Sequence, residues 1–256
     1  MWHCFFEQSG TFKNAFIHQG EQAEDYDLRN DFGQTDNVID LFQEIEIEYS
    51  EGGSELFKRI KPGDGIFAFF PCTEFEAQKN MWVRGICYSQ RNWDLPKKLE
   101  FDLAWMDRMS RNYKILTYLS IICLRRKIKL IVENPKGAVQ ILYSWWAARP
   151  AVVDMDRYQH GDFFKKPTMF FFFGFAPTFR IQPRHHQKSP RLRISEVTAK
   201  DGKSAQINKS LISPAYAKYF VTTFILGKNQ APEKQEPTAM LPGMTSQIQP
   251  LPKDSI

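Results

Sequence analysis

Residues 61–72 read KPGDGIFAFFPC, and this stretch decides the fold. Pro62, Gly63 and Gly65 make a turn, and the run after it is apolar as far as Pro71 and Cys72. A short continuous apolar run closed by turn residues is the pattern of a strand covered on both faces, as in a parallel sheet flanked by helices. Working outward, KLIVENP at 129–135 has the same character and is closed by proline. Residues 3–8, 23–28, 37–41, 152–158 and 168–175 complete the candidate strands, the last two joined by a turn around Gly161. Between them lie helical patterns: Phe12 and Phe16 four residues apart, with Gly20 ending that helix, and a long helix over 99–126. The long helix carries Trp105, Met109, Tyr113, Leu116, Leu119 and Cys123 at helical spacing. Its last turn is cationic, as the helix dipole prefers. Alternating strands and helices predict an α/β chain with a Rossmann-like, mainly parallel sheet and helices on both faces. The expected division is a catalytic α/β unit over 1–175, a small basic region over 176–207, a closing helix over 208–227 and a disordered tail over 228–256.

Composition sets the outer bounds. The chain has 256 residues, of which 43% are hydrophobic and 14% aromatic, enough for a substantial core. No apolar run approaches the roughly 18 residues of a membrane helix. The first residues, MWHCFFEQ, lack the cationic lead and apolar stretch of a secretory signal. The four cysteines, Cys4, Cys72, Cys87 and Cys123, form no CxxC pair. A soluble, cytoplasmic monomer without metal is therefore expected, with His185 and His186 taken as polar loop residues. Charge is unevenly spread: residues 1–51 hold twelve acids against Lys13 and Arg29, whereas 157–203 hold ten bases against three acids. The blocks read either as solvated faces of differing sign or as a field that draws a polyanion to the later half. Taken together they favour a nucleic acid bound away from the N-terminal end.

In open α/β sheets, ligands gather beyond the carboxyl ends of the strands. Four such ends carry chemistry here: FEQSG at 6–10, the acidic pair Asp25 and Asp27, Pro71–Cys72, and Glu133-Asn134-Pro135. Each alone has a plain reading. A buried cysteine is more often packing than nucleophile, and a glycine turn after a first strand is common. All four in order make accident a poor explanation. The chain has neither a GxxxxGK[ST] loop nor a full GxGxxG, so no phosphate cradle is evident. Asp25, Asp27 and Asp40 are suited to ribose hydroxyls or an adenine amine. A cationic cofactor without phosphates suits the acidic N-terminal field, and S-adenosyl-L-methionine is such a molecule.

These residues resemble the cytosine-5 DNA methyltransferases, in the short form that bacteriophages and prophages carry. The resemblance covers about residues 4–227 and rests on spaced motifs. FFEQSGTFKNAF (5–16) is similar to that family's first cofactor-binding motif, which implies that Phe6, Glu7, Gln8, Ser9, Gly10 and Thr11 bind the cofactor. Asp25 and Asp27 match the acidic end of the second strand, and Asp40 the acid of the third. FFPCTEF (69–75) resembles the Pro-Cys motif, with Cys72 as nucleophile, Pro71 beside the cofactor and Thr73 toward DNA. VENPKG (132–137) resembles the Glu-Asn-Val motif, with Glu133 as catalytic carboxylate. Lys165 and Lys166 fall where the family places paired arginines, Lys166 acting in catalysis and Lys165 on nucleic acid. INKSLISPAYAKYF (207–220) resembles the closing Asn-x-Ser motif, with Asn208 and Ser210 returning to the cofactor. Arg180, Arg184, Arg191 and Arg193 are implied to contact double-stranded DNA. A Trp/Arg-rich insertion at 81–94, with Trp82, Arg84, Arg91 and Trp93, supplies either stacking on the nucleic acid or core packing.

The expected activity is S-adenosylmethionine-dependent methylation of carbon 5 of cytosine in DNA, in a bacterial host and plausibly in restriction-modification. It proceeds through a cysteine adduct on an everted base. The sequence departs from the family at Gln8 and Thr11 for glycine, Thr73 for glutamine, Pro135 for valine and Thr168 for an arginine; Gln8, Thr73 and the lysines at 165 and 166 motivate a second reading, a catalytically decayed DNA-binding module. The same chemistry on RNA and a small-metabolite Rossmann-like enzyme complete the alternatives.

Overall fold

The computed structural model describes residues 1–75, 79–83, 85, 87–137, 141–179 and 211–228. Seven strands form one sheet: β1 (Trp2–Phe5), β2 (Ala23–Asp27), β3 (Asn37–Val38), β4 (Gly65–Ala68), β5 (Lys129–Pro135), β6 (Val152–Asp154) and β7 (Thr168–Phe173). Their spatial order is β3-β2-β1-β4-β5-β7-β6. β1 to β5 run parallel, and β7 alone is reversed, antiparallel to both β5 and β6. The chain therefore builds outward from β1 on one side, then returns to start β4 on the other.

Side-chain alternation explains the two layers around this sheet. Phe5, Ile66, Ala68, Leu130, Val132, Met169 and Phe171 face one layer, where they meet α2 (Leu41–Ser50), α3 (Glu55–Arg59) and α5 (Leu95–Arg126). Trp2, Cys4, Phe67, Ile131 and Phe170 face the other, against α1 (Thr11–His18) and α7 (Pro214–Phe220), which runs on as a π-turn over Val221–Ile225. Gly65 is required where it stands, because a Cβ there would enter the Trp2 ring. Two short helices, α4 (Lys79–Val83) and α6 (Ile141–Trp145), complete the described residues. None of the described helices is long and apolar enough to cross a membrane. No group of three or more His, Cys, Asp or Glu among the described residues could hold a metal ion.

Several boundaries differ from the sequence reading, each for a local reason. The first strand ends at Phe5 because Phe6 takes a left-handed φ of 60°. The third ends at Val38, and Asp40 instead caps α2. The fourth ends at Ala68, four residues before Cys72. The long helix starts at Leu95 rather than at 99, because the Asp94 side chain accepts from Lys97 N–H and Pro96 suits the first turn. After Asp154 the sixth strand gives way to a 3₁₀ turn, Arg157–His160. β5 keeps the expected bounds.

Candidate active site

Because the connections from β1 and from β4 leave in opposite directions, a crevice opens between them at the carboxyl edge. The loop after β1 enters it through a strained residue. Left-handed backbone is rare for a bulky side chain and persists where its surroundings enforce it. Phe6 N–H donates to Tyr26 O at 2.8 Å, and its ring packs edge-on against Phe42 (5.9 Å) and Phe70 (5.3 Å). Gly10, at φ 63°, then turns the chain into α1, and the Ser9 and Thr11 hydroxyls meet at 2.8 Å.

Three of the predicted cofactor ligands are used inside the protein. Glu7 is buried and caps α1, accepting from Phe12 N–H at 2.6 Å and Lys13 N–H at 3.1 Å. Burial pushes its carboxyl up to about 7, against those two amide donors. Asp25 is fully buried, accepts from Asp36 N–H at 2.7 Å and pairs with Lys13 Nζ at 3.0 Å. Lys13 also reaches Gln34 O and Asp36 Oδ1. Asp40 is exposed and accepts from Phe42 and Gln43 N–H at the start of α2. These carboxylates correct the expectation that all three acids face a cofactor. Asp27 remains at the carboxyl end of β2, bonded to Arg29 N–H at 2.8 Å and to the Gln8 side chain. Burial raises its carboxyl, and the buried Gln8 Oε1 beside it has no hydrogen-bond partner.

On the other side of the crevice, Pro71 and Cys72 are half-buried and Thr73 is exposed. Phe75 N–H donates to Cys72 O at 2.8 Å, folding this segment into a turn. The Asn134 side chain donates to Phe70 O at 3.0 Å, so the end of β5 holds the loop that carries Cys72. Register does the rest: Ala68 pairs with Val132, which sets Glu133 at the same edge. Glu133 is buried, its Oε1 makes no hydrogen bond, and burial raises its carboxyl against the opposing pull of Lys166 and Arg157. β7 runs the opposite way, so its beginning, with the half-buried Lys166 before it, also lies at this edge. Lys165 points elsewhere: it is exposed, 3.9 Å from Asp156.

Arg157 was not singled out from sequence. It is fully buried, lies 3.7 Å from Glu133 Oε1, forms an ion pair with Asp162 and donates to Thr168 Oγ1 at 3.3 Å. Its guanidinium sits 4.9 Å over the Tyr216 ring of α7, and Asp162 accepts from Ser213 N–H at 2.9 Å. Asp154 extends the network to His160 and Tyr216 at 3.0 Å each. The only hint in the sequence is a lone arginine in DMDRYQHGD directly after an apolar strand. In the 81–94 insertion, Trp82 and Trp93 pack near Phe101 of α5, at 6.2 and 5.8 Å. Asn208, Ser210, Arg84, Arg180, Arg184, Arg191, Arg193, His185 and His186 lie outside the described residues. So do most of the 176–207 region and all but the first residue of the predicted tail.

Compared with known proteins, the chain matches no family model, and no curated sequence matches it. The reading of the site therefore rests on its own geometry.

Proposed function

We propose that this protein transfers the methyl group of S-adenosyl-L-methionine to carbon 5 of cytosine in DNA, through a covalent adduct with Cys72 on an everted base. The observation that carries this reading is the shared edge of Cys72 and Glu133. A half-buried thiol four residues past β4 and a buried carboxyl near the end of β5, its Oε1 without a hydrogen bond and 3.7 Å from Arg157, share that edge, and Asn134 ties one to the loop of the other. The Rossmann-like sheet is of the kind the sequence resemblance implies.

The residues of the crevice fit the cofactor. Asp27 and the unpartnered Gln8 Oε1 accept ribose hydroxyls, and the partly exposed Phe6 and Phe42 rings, backed by the buried Phe70, offer an apolar wall to a purine. Bound there, S-adenosylmethionine supplies an electrophilic methyl group on a sulfonium.

The chain's own groups do the rest. The Cys72 thiolate adds to carbon 6 of the ring and makes carbon 5 nucleophilic. Glu133, whose carboxyl is raised by burial, donates in its protonated form at ring nitrogen 3 and offsets the charge that develops there. Arg157 and Asp162 hold Glu133 in place from behind, and Lys166 adds positive charge at the ring. After methylation, solvent water takes the carbon 5 proton, the electron pair of that bond re-forms the carbon 5–carbon 6 double bond, the Cys72 sulfur leaves as thiolate, and nitrogen 3 returns its proton to Glu133. Eversion of the nucleotide costs a few kcal/mol, which the contacts to DNA must offset.

Incorporation of tritiated methyl from the cofactor into DNA, with RNA as a parallel substrate, tests the activity, and bisulfite sequencing reads the target. Wild-type protein labels DNA; Cys72→Ala does not, yet still binds the cofactor by calorimetry. Labelling undiminished in Cys72→Ala removes Cys72 as nucleophile, and labelling of RNA alone moves the substrate.

A further inference from the structure

Beside the crevice lies a surface that the proposed chemistry leaves unused. β5 ends at Pro135, and the next residue, Lys136, is bonded through its N–H to Pro167 O at 2.8 Å, next to Lys165 and Lys166. α6 is anchored by Leu142, which is sealed, and by Trp146 just beyond its end, which packs on Phe171 (5.0 Å) and Phe173 (5.3 Å) of β7. That anchoring turns its other side outward. Trp145 is 79% exposed and Tyr143 44%, and Met155 is also exposed. Lys136 Nζ sits 5.7 Å over the Tyr143 ring and 3.5 Å from Met155 Sδ. The first N–H of α6, from Ile141, reaches Phe75 O, and Phe75 N–H in turn holds Cys72 O. The patch thus adjoins both the nucleophile's loop and the end of the Glu133 strand.

Its chemistry is specific. Residues 136–149, KGAVQILYSWWAAR, contain Lys136 and Arg149 and no acid. Trp145, Tyr143 and Met155 leave apolar surface in water together, with the Lys136 ammonium over the Tyr143 ring, and such grouped apolar surface rimmed by charge marks an interaction site. Exposed aromatics interleaved with cations form a platform on which unpaired bases stack while phosphates meet the lysines.

We infer that Trp145, Tyr143 and Lys136 form a binding surface for single-stranded DNA, holding unpaired bases next to the nucleotide that enters the crevice. Trp145 stacks on a base, and Lys136 meets an adjoining phosphate. The placement beside an everted base rests on the proposed function; the binding surface does not.

The test is fluorescence anisotropy of a fluorescein-labelled 12-nucleotide single-stranded DNA titrated with full-length protein, using wild type, Trp145→Ala, Trp145→Phe and Lys136→Ala. Trp145 is solvent-exposed, so its replacement leaves the fold intact, which circular dichroism checks. Trp145→Ala binds roughly tenfold more weakly, while Trp145→Phe keeps most of the affinity because stacking is retained. Lys136→Ala weakens binding and lowers its salt dependence. Trp145-dependent binding by wild-type protein that labels no DNA supports this surface and overturns the methyl-transfer reading alone. Affinity of Trp145→Ala within twofold of wild type overturns the inference. So does sedimentation showing that wild type is a dimer which Trp145→Ala converts to monomer, since the patch then belongs to a second copy of the chain.

Discussion

The Arg157 guanidinium lies 3.7 Å from the Glu133 carboxylate, and both side chains are buried. A charge of that kind, withdrawn from water, survives only with partners. Asp162 supplies one, Thr168 another and the face of Tyr216 a third. Through Ser213, which holds Asp162, and the Tyr216 ring beneath Arg157, helix α7 thereby supports the carboxyl group on the central strand β5.

Removing Arg157 leaves Asp162 and Glu133 buried without their cation. Arg157→Met is expected to destabilise the protein by about 3–5 kcal/mol in denaturant unfolding. Arg157→Met combined with Asp162→Leu recovers part of that loss, since the uncompensated acid is gone. A single variant as stable as wild type contradicts the buried network.

Glu133 has its carboxyl raised by burial, so it holds its proton to higher pH than an exposed glutamate. If that proton serves ring nitrogen 3, the methyl-transfer rate falls as pH rises through the elevated value. Glu133→Gln lowers the rate by roughly 10²–10⁴-fold and abolishes that alkaline limb. An unchanged limb in Glu133→Gln assigns it to another group.

Glu7 makes stability depend on pH. Its folded-state value, about 7, lies above the ordinary 4.5, so the folded protein binds this proton more tightly than the unfolded chain does. The contribution is fully present below about 4.5 and is lost as pH rises through about 7. It amounts to ~3 kcal/mol at most. Unfolding curves at pH 5 and pH 8 should show wild type losing more stability than Glu7→Gln over that interval. Equal losses in the two proteins would place Glu7 at an ordinary carboxyl value.

Gly65→Ala drives a methyl group into the Trp2 ring, which is stacked on Phe16 at 4.6 Å. A loss of about 1–3 kcal/mol is expected, as for other overpacked cores, with the midpoint of chemical denaturation as the measure. Trp2→Leu in the same chain should relieve much of it.

The fold was legible where sequence and burial speak the same language. The run at 129–135 is apolar, short and closed by proline, and β5 has those bounds. The helix with Phe12 and Phe16 on one face forms as the spacing dictates. Cys72 and Glu133 stand out in the sequence because each follows an apolar run, and the register of β4 with β5 sets both runs to end at one edge of the sheet. What was not legible depends on partners distant in the chain. Asp25 looked available for a ribose until Lys13 and Asp36, 12 and 11 residues away, enclosed it. Glu7 looked like a ligand, but a glycine turn brings the first helical N–H groups onto it. Arg157 had been counted among surface cations, yet Tyr216, 59 residues on, and Asp162 bury it.

The central claim is a bond between Cys72 and carbon 6 of cytosine. Replacing the target base by 5-fluorocytosine tests it most directly, because a fluorine at carbon 5 cannot leave as the proton does and the adduct persists. Incubated with S-adenosylmethionine and such DNA, wild-type protein is expected to form a complex that resists detergent denaturation and whose modified peptide contains Cys72, and Cys72→Ala forms none. Methylation of normal DNA with no such complex, or an equal yield of complex from Cys72→Ala, would contradict the account.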